Sequence, residues 1–225
     1  MSERARILIR MADVVLSLAA ANEYGERLGK LRLQKFIYLS DAVSLLYSFL
    51  PPLENHTTYK YGPYDVAIQR AVDSLAFRGL VVIHGIKSNV GGITADYSLN
   101  DSGLQLASRL KDELEGQWSI FNDVAAHVNQ IGWQHLRALA YAEPTFVNAR
   151  AHGCGQVLEL SDGLANSSAL ILATIDRVLE NETVDRHPTR ELVGSLFFRY
   201  LREYSITSHA PVEETDADLV EEERE

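Results

Sequence analysis

Between Asp65 and Leu99 the apolar spacing changes period, and that change restricts the folds open to the chain more than any other feature. Ile68, Ala71, Val72 and Leu75 recur at three and four residues, which predicts a helix over Asp65–Arg78 with Gly79 as its C-terminal cap. Leu80 to His84 then forms a short apolar run suited to a strand. Gly85 to Gly92 reads as a flexible turn and Thr94 to Leu99 as the returning strand of a hairpin. A helix that feeds a β-hairpin needs further helices to cover both.

Two such helices precede it. In the first, about Arg4 to Ala21, Arg6, Arg10, Asp13 and Ser17 define a polar side. Ile7, Leu8, Met11, Val14, Val15 and Leu18 fill the other, the pattern of an amphipathic helix. The second runs from Lys30 to Phe49 through Leu33, Phe36, Ile37, Ser40, Val43, Leu46 and Tyr47, and Pro51-Pro52 stops it. Thr57 to Tyr61 is β-branched and aromatic, a short strand ended by Gly62-Pro63. After the hairpin, Ser102 and Gln105 fit a capping box that opens a helix carried by Leu104, Leu106 and Leu110.

The order helix, helix, strand, helix, hairpin is the plan of a winged helix-turn-helix. Helical α+β folds with no nucleic-acid role share it. Beyond Gly116 the chain reads as helical. One stripe is Ile120, Phe121, Val124 and Val128; another is Leu136, Leu139 and Ala140, ended by Pro144. A third spans Leu164 to Leu179, and the last runs from Pro188 to Tyr204. The expected fold is therefore mainly α with a small β-hairpin: a winged helix-turn-helix-like core plus a helical C-terminal half. Expected regions are 1–115, winged-helix-like; 116–209, helical and packed on it; and 210–225, a disordered acidic tail.

Charge narrows function. Of the net charge of −10, the last fifteen residues carry −7 (eight acids and one Arg), leaving −3 for residues 1–210. A chain so balanced lacks a general basic surface for coating nucleic acid or anionic lipid. The lone Cys154 has no internal disulfide partner. The opening Met-Ser-Glu-Arg-Ala-Arg lacks the apolar run of a signal peptide, and no stretch has the ~20 apolar residues that span a bilayer. We expect a cytoplasmic protein that does not enter a membrane.

Three segments occur together: Leu31-Arg32-Leu33-Gln34-Lys35-Phe36-Ile37-Tyr38-Leu39; Tyr59-Lys60-Tyr61-Gly62-Pro63-Tyr64; and Leu75 to Val81 leading to Tyr97-Ser98-Leu99. Their order resembles the Panacea-domain proteins, the SocA-like antitoxins and proteolytic adaptors, and the related YwgA-like group of winged-helix regulators. The likeness spans roughly residues 25–150 and includes Leu136 to Pro144, similar to a YwgA-like helix ending in a proline turn. This chain departs from both in its added helical sequence after residue 155 and its acidic tail. The resemblance implies binding of a toxin or protease component in some members and transcription regulation in others. It offers no catalytic residues to carry over.

The outward side of the Asp65–Arg78 helix is the first candidate for contact, with Asp65, Gln69, Arg70, Asp73, Ser74 and Arg78, and the hairpin adds Lys87. On DNA, Gln and Arg would read base edges, but two arginines face two aspartates and few cations remain for phosphates. A protein-contacting surface is preferred, with DNA as the alternative and a homodimer allowed by either. The second candidate is the aromatic turn, with Lys60 and Tyr64 open to a partner. Tyr61, Gly62 and Pro63 are read as pinning that turn against a helix carrying Leu33, Gln34 and Lys35.

His127, His135 and the His152-Gly153-Cys154 loop lie on separate stretches and make a poor metal or cysteine-enzyme site. The Val90-Gly91-Gly92 run lacks the Lys and Ser/Thr of a phosphate loop, and HExxH and Gly-x-Ser-x-Gly do not occur. We expect no enzyme and no cofactor.

Overall fold

A computed structural model describes residues 2–49, 56–89, 92–161, 163, 165–182 and 189–207. Its axis is α2 (Lys30–Val43), in which every residue from Leu33 to Val43 is buried. A helix covered all round must stand at the centre of its fold. Around it lie α1 (Glu3–Asn22), α5 (Glu115–Ile131), α6 (Leu136–Ala142) and α8 (Ser167–Glu182), and α3 (Val66–Phe77) packs on α1. Outside these, α4 (Asp101–Glu113) crosses α1, α7 (Pro144–Arg150) follows α6, and α9 (Arg190–Thr207) closes over α5 and α6. One apolar core runs through both halves of the chain, from Leu16 and Phe36 to Phe146, Phe197 and Leu201. Each such side chain contributes about 1.5–3 kcal/mol by leaving water.

The fold is mainly helical with small antiparallel sheets. One has the order β1 (Leu28–Gly29), β5 (Gly92–Leu99), β4 (Val81–Asn89), with Leu28 opposite Tyr97 and Ile83 opposite Tyr97 from the other side. The other joins β2 (Thr57–Tyr59) to β3 (Gly62–Tyr64). No helix among the described residues is long and apolar enough to cross a membrane.

Several expectations are corrected. The polar side of α1 does not face water: Arg10, Asp13 and Ser17 are buried, while Leu8 is 56% exposed. The stretch Val14–Ala21 holds one polar residue, so it is covered on every side, and Arg10 and Asp13 find ionic partners inside. Helix α2 stops at Val43 and tightens into a 3-10 turn over Ser44–Tyr47, because the Ser44 hydroxyl donates to Asp41 O (2.7 Å) and Ser48 turns left-handed.

Gly62-Pro63 does not end the sheet but opens β3, where Pro63 stands opposite Thr58. The segment Gly85–Asn89 belongs to β4, whose pairing slips between His84 and Lys87 to absorb Gly85. Asn100, not Ser102, caps α4: its Oδ1 accepts from Gly103 N (2.9 Å) and its Nδ2 donates to Gly79 O (2.6 Å). Leu104 is exposed; Gly103 and Ala107 face the core instead. Pro144 does not only end α6 but starts α7, as suits proline in a first turn. Pro51, Pro52, Val90, Gly91, Leu164, Pro188 and the acidic tail lie outside the described residues.

Candidate functional site

The predicted motif residues Gln34, Lys35, Tyr61, Gly62 and Pro63 meet in one buried joint at the start of α3. The Gln34 carboxamide accepts from Asp65 N and donates to Asp65 O, both at 2.9 Å, standing in for a strand neighbour. Lys35 Nζ donates to Pro63 O (2.9 Å). Gly62 has φ +93, and a Cβ there would lie 2.1 Å from the Tyr141 ring and 3.0 Å from Lys35 Cε. Only glycine satisfies both the backbone and the space. Burial, and then Arg137, pushes the Lys35 ammonium down to about 7. Leu33 is buried in the core beside them.

Beneath this joint is an ionic cluster that the sequence reading did not find. Arg10, with no exposed surface, reaches carboxylates on three segments: Nε to Asp65 Oδ2 (2.7 Å), Nη1 to Asp13 Oδ2 (2.7 Å) and Nη2 to Asp41 Oδ2 (2.8 Å). His56 Nε2 lies 2.8 Å from Asp41 Oδ2 and 3.1 Å from Arg10 Nη2. Burial alone would loosen the guanidinium proton, but Asp41, Asp13 and Asp65 together hold it more firmly than in water. Burial pushes Asp41 up, yet Arg10 and His56 outweigh it and keep this carboxyl below its ordinary value.

The Tyr38 ring stands edge-on to His56 (5.1 Å), and its hydroxyl donates to Glu143. Burial, then Glu143, holds the Tyr38 phenol well above its usual range. Glu143 also accepts from Phe146 N (2.6 Å) and the Ser168 hydroxyl, tying α2 to α7 and α8. The usable signal for Arg10 and Asp13 was the apolar run that follows them, which leaves the second half of α1 no wet side.

The outer candidates form a different surface. Asp65 is not on it: its Oδ1 caps α3 at Ala67 N (2.8 Å) and its side chain is buried, because the first turn of α3 faces Arg10. Gln69 donates to Asp73 (2.9 Å), Arg70 is ion-paired with Glu3, and the Ser74 hydroxyl returns to Arg70 O. Gln69, Asp73 and Phe77 follow one another at four-residue intervals along α3. Phe77 is 94% exposed and Ile86 64%. Ile83, also exposed, stands beside Tyr97 on the sheet face that meets Gln69.

Arg78 and Lys87 are exposed at the end of α3 and on β4. Lys60 lies instead in the β2–β3 turn and Tyr64 at the end of β3, with Lys60 Nζ over the Tyr61 ring (5.3 Å) and Tyr64 against Tyr59 (5.4 Å). That is the opposite end of α3 from Arg78, about 18 Å away at 1.5 Å per residue.

His127 stacks on Phe198 (5.0 Å) and lines a cleft of about 440 Å³ between α5 and α9 with Asp123, Gln130, Glu191 and Ser195. His135 and His152 lie elsewhere on the surface, and Cys154 is exposed in the turn beyond α7. No group of three or more His, Cys, Asp and Glu among the described residues is placed to hold a metal ion. No known family pattern matches the chain, and neither does any curated protein.

Proposed function

We propose that this protein is a non-enzymatic regulator that binds another protein through α3 and the β4–β5 hairpin, in the manner of an antitoxin or proteolytic adaptor. The arrangement supports a winged-helix-like reading of residues 1–115: α3 precedes a hairpin whose inner strand, β5, also pairs with β1. The observation that carries the functional reading is the chemistry of the outer face. Where a DNA reader would offer free cations, α3 offers a ring that is 94% exposed, an arginine paired with Glu3 and a glutamine engaged by Asp73. Exposed aromatic and aliphatic groups beside spent charges suit a desolvated protein contact. They give little of the counterion release that holds a duplex.

The alternative is a DNA-binding regulator, favoured by the exposed cations Arg78, just after α3, and Lys87 on β4. Affinity purification of the tagged full chain from its native cells separates the two. A protein partner retained by the wild type and lost in Phe77→Asp supports the first reading. Recovery of no protein, together with tight and steeply salt-dependent binding to its own promoter, rejects it.

A further inference from the structure

Strand β4 ends the order β1–β5–β4 and packs chiefly on β5 and α3, so one of its long edges is open among the described residues. An open edge carries a row of backbone N–H and C=O groups that another extended chain can satisfy in series. Which groups these are follows from the register. Asn100 N donates to Leu80 O (3.2 Å) at the base of the hairpin, and bonding alternates residue by residue along an antiparallel pair. Leu80, Val82 and His84 therefore turn their backbone groups to Asn100, Ser98 and Asp96. Val81 and Ile83 turn theirs away from β5. Tyr97, opposite Ile83, obeys the same alternation and turns its own to Leu28 of β1.

Val81 is buried, but Ile83 is 42% exposed. Neither joins a backbone hydrogen bond outside the β4–β5 ladder among the described residues. The side chains along this strand are apolar and exposed at Val82, Ile83 and Ile86, and cationic at Lys87. Lys87 enters no ion pair among the described residues. The pairing slips between His84 and Lys87, where Gly85 has φ +59, so the edge bends in mid-strand. A bulge and a lysine hinder flat edges from joining their own kind, which argues against a second copy of this chain as the occupant. They favour a selected strand instead. An apolar side chain beside Ile83 gains by burial, and a carboxylate toward Lys87 gains by opposite charge.

We propose that the open edge of β4 receives an extended segment of the partner as a further strand, with an apolar residue beside Ile83 and an acidic one toward Lys87. This rests on the protein-binding reading above and names the form in which the partner docks. Backbone bonds to an edge give such a contact its affinity, and the alternate side chains give it selection.

The test copurifies the partner with the tagged full chain from its native cells and compares Ile83→Pro, Ile83→Val, Lys87→Glu and Phe77→Asp. Proline removes the N–H that points away from β5 and leaves the inner ladder intact, as in edge strands generally. Ile83→Val keeps that donor and should hold the partner. Ile83→Pro and Lys87→Glu should each weaken binding roughly tenfold or more, with melting temperatures close to that of the wild type. In the wild-type complex the Ile83 amide should exchange with deuterium at least about tenfold more slowly than in the free chain. If Ile83→Pro does not fold, that exchange measurement decides. A partner that is lost in Phe77→Asp but held by Ile83→Pro, or an Ile83 amide that exchanges equally fast in both states, overturns the added strand and leaves the protein-binding reading standing. Recovery of no protein, or of a second copy of this chain alone, overturns both.

Discussion

Asp65 binds Arg10 with one carboxylate oxygen and caps α3 with the other: Oδ2 accepts from Arg10 Nε at 2.7 Å and Oδ1 from Ala67 N at 2.8 Å. The helix that carries the candidate docking face is thereby fixed to a buried charge on α1. Asp41 fastens the same guanidinium to the central helix. Exposed Phe77 and buried Arg10 belong to one rigid frame, so loss of the arginine disturbs the surface from within.

Arg10→Met leaves three buried carboxylates without their cation. At pH 7 the variant should lose roughly 3–5 kcal/mol of stability, the usual result of breaking a buried ionic network from one side. Part of the loss should return near pH 5 as carboxyls protonate. Urea denaturation at both pH values checks this, and an identical loss at both contradicts the charge explanation.

Lys35 gives a pH dependence of known sign. Its folded pKa of about 7 lies below the unfolded 10.5, so the unfolded chain binds more protons between those values. Its contribution rises with pH across that window and is lost as pH falls through about 7. The wild type should gain stability from pH 7 to about pH 9, by at most about 1.4 kcal/mol per unit, and Lys35→Met should not. Parallel slopes in the two proteins would place the effect elsewhere.

Gly62→Ala meets two obstacles at once, a φ of +93 and the Tyr141 ring 2.1 Å from the new carbon. We expect a loss of about 3 kcal/mol or more from strain and overpacking together. Tyr141→Leu in the same chain should recover only the steric share. Thermal denaturation of the two single variants and the double variant measures the split.

Glu143→Ala leaves the Tyr38 hydroxyl, the Ser168 hydroxyl and Phe146 N–H without their shared acceptor. A loss of about 3 kcal/mol is expected, against about 1 kcal/mol for Tyr38→Phe, which removes donor and phenol oxygen together. Near-equal effects in denaturant would show that Glu143 matters only through Tyr38.

Phe77→Asp should change stability by no more than about 0.5 kcal/mol, because its ring is 94% exposed. The same variant should lose the protein partner, so binding and folding separate cleanly when its melting temperature is read beside its copurification.

Local spacing was enough to locate most elements. The expected helix over Asp65–Arg78 matches α3 within a residue at each end, and a hairpin follows where the period changes, although β4 runs on through Gly85–Asn89. Spacing also placed α1, α5, α6 and α9 approximately, since helix period and capping chemistry depend on neighbours three and four residues away. It misjudged α1 because a polar stripe has the same periodicity whether it faces water or a buried counter-charge. Only the tertiary structure brings Asp41 and Asp65, 31 and 55 residues beyond Arg10, to one guanidinium.

The same holds for Gly62 against Tyr141 and for Tyr38 against Glu143, 105 residues apart. The sequence by itself determined which segments coil and where they stop, because those free energies are local. Which polar groups lie inside, and what charge they carry there, was decided by the packing of distant segments, because desolvation and Coulomb attraction depend on the space around a group.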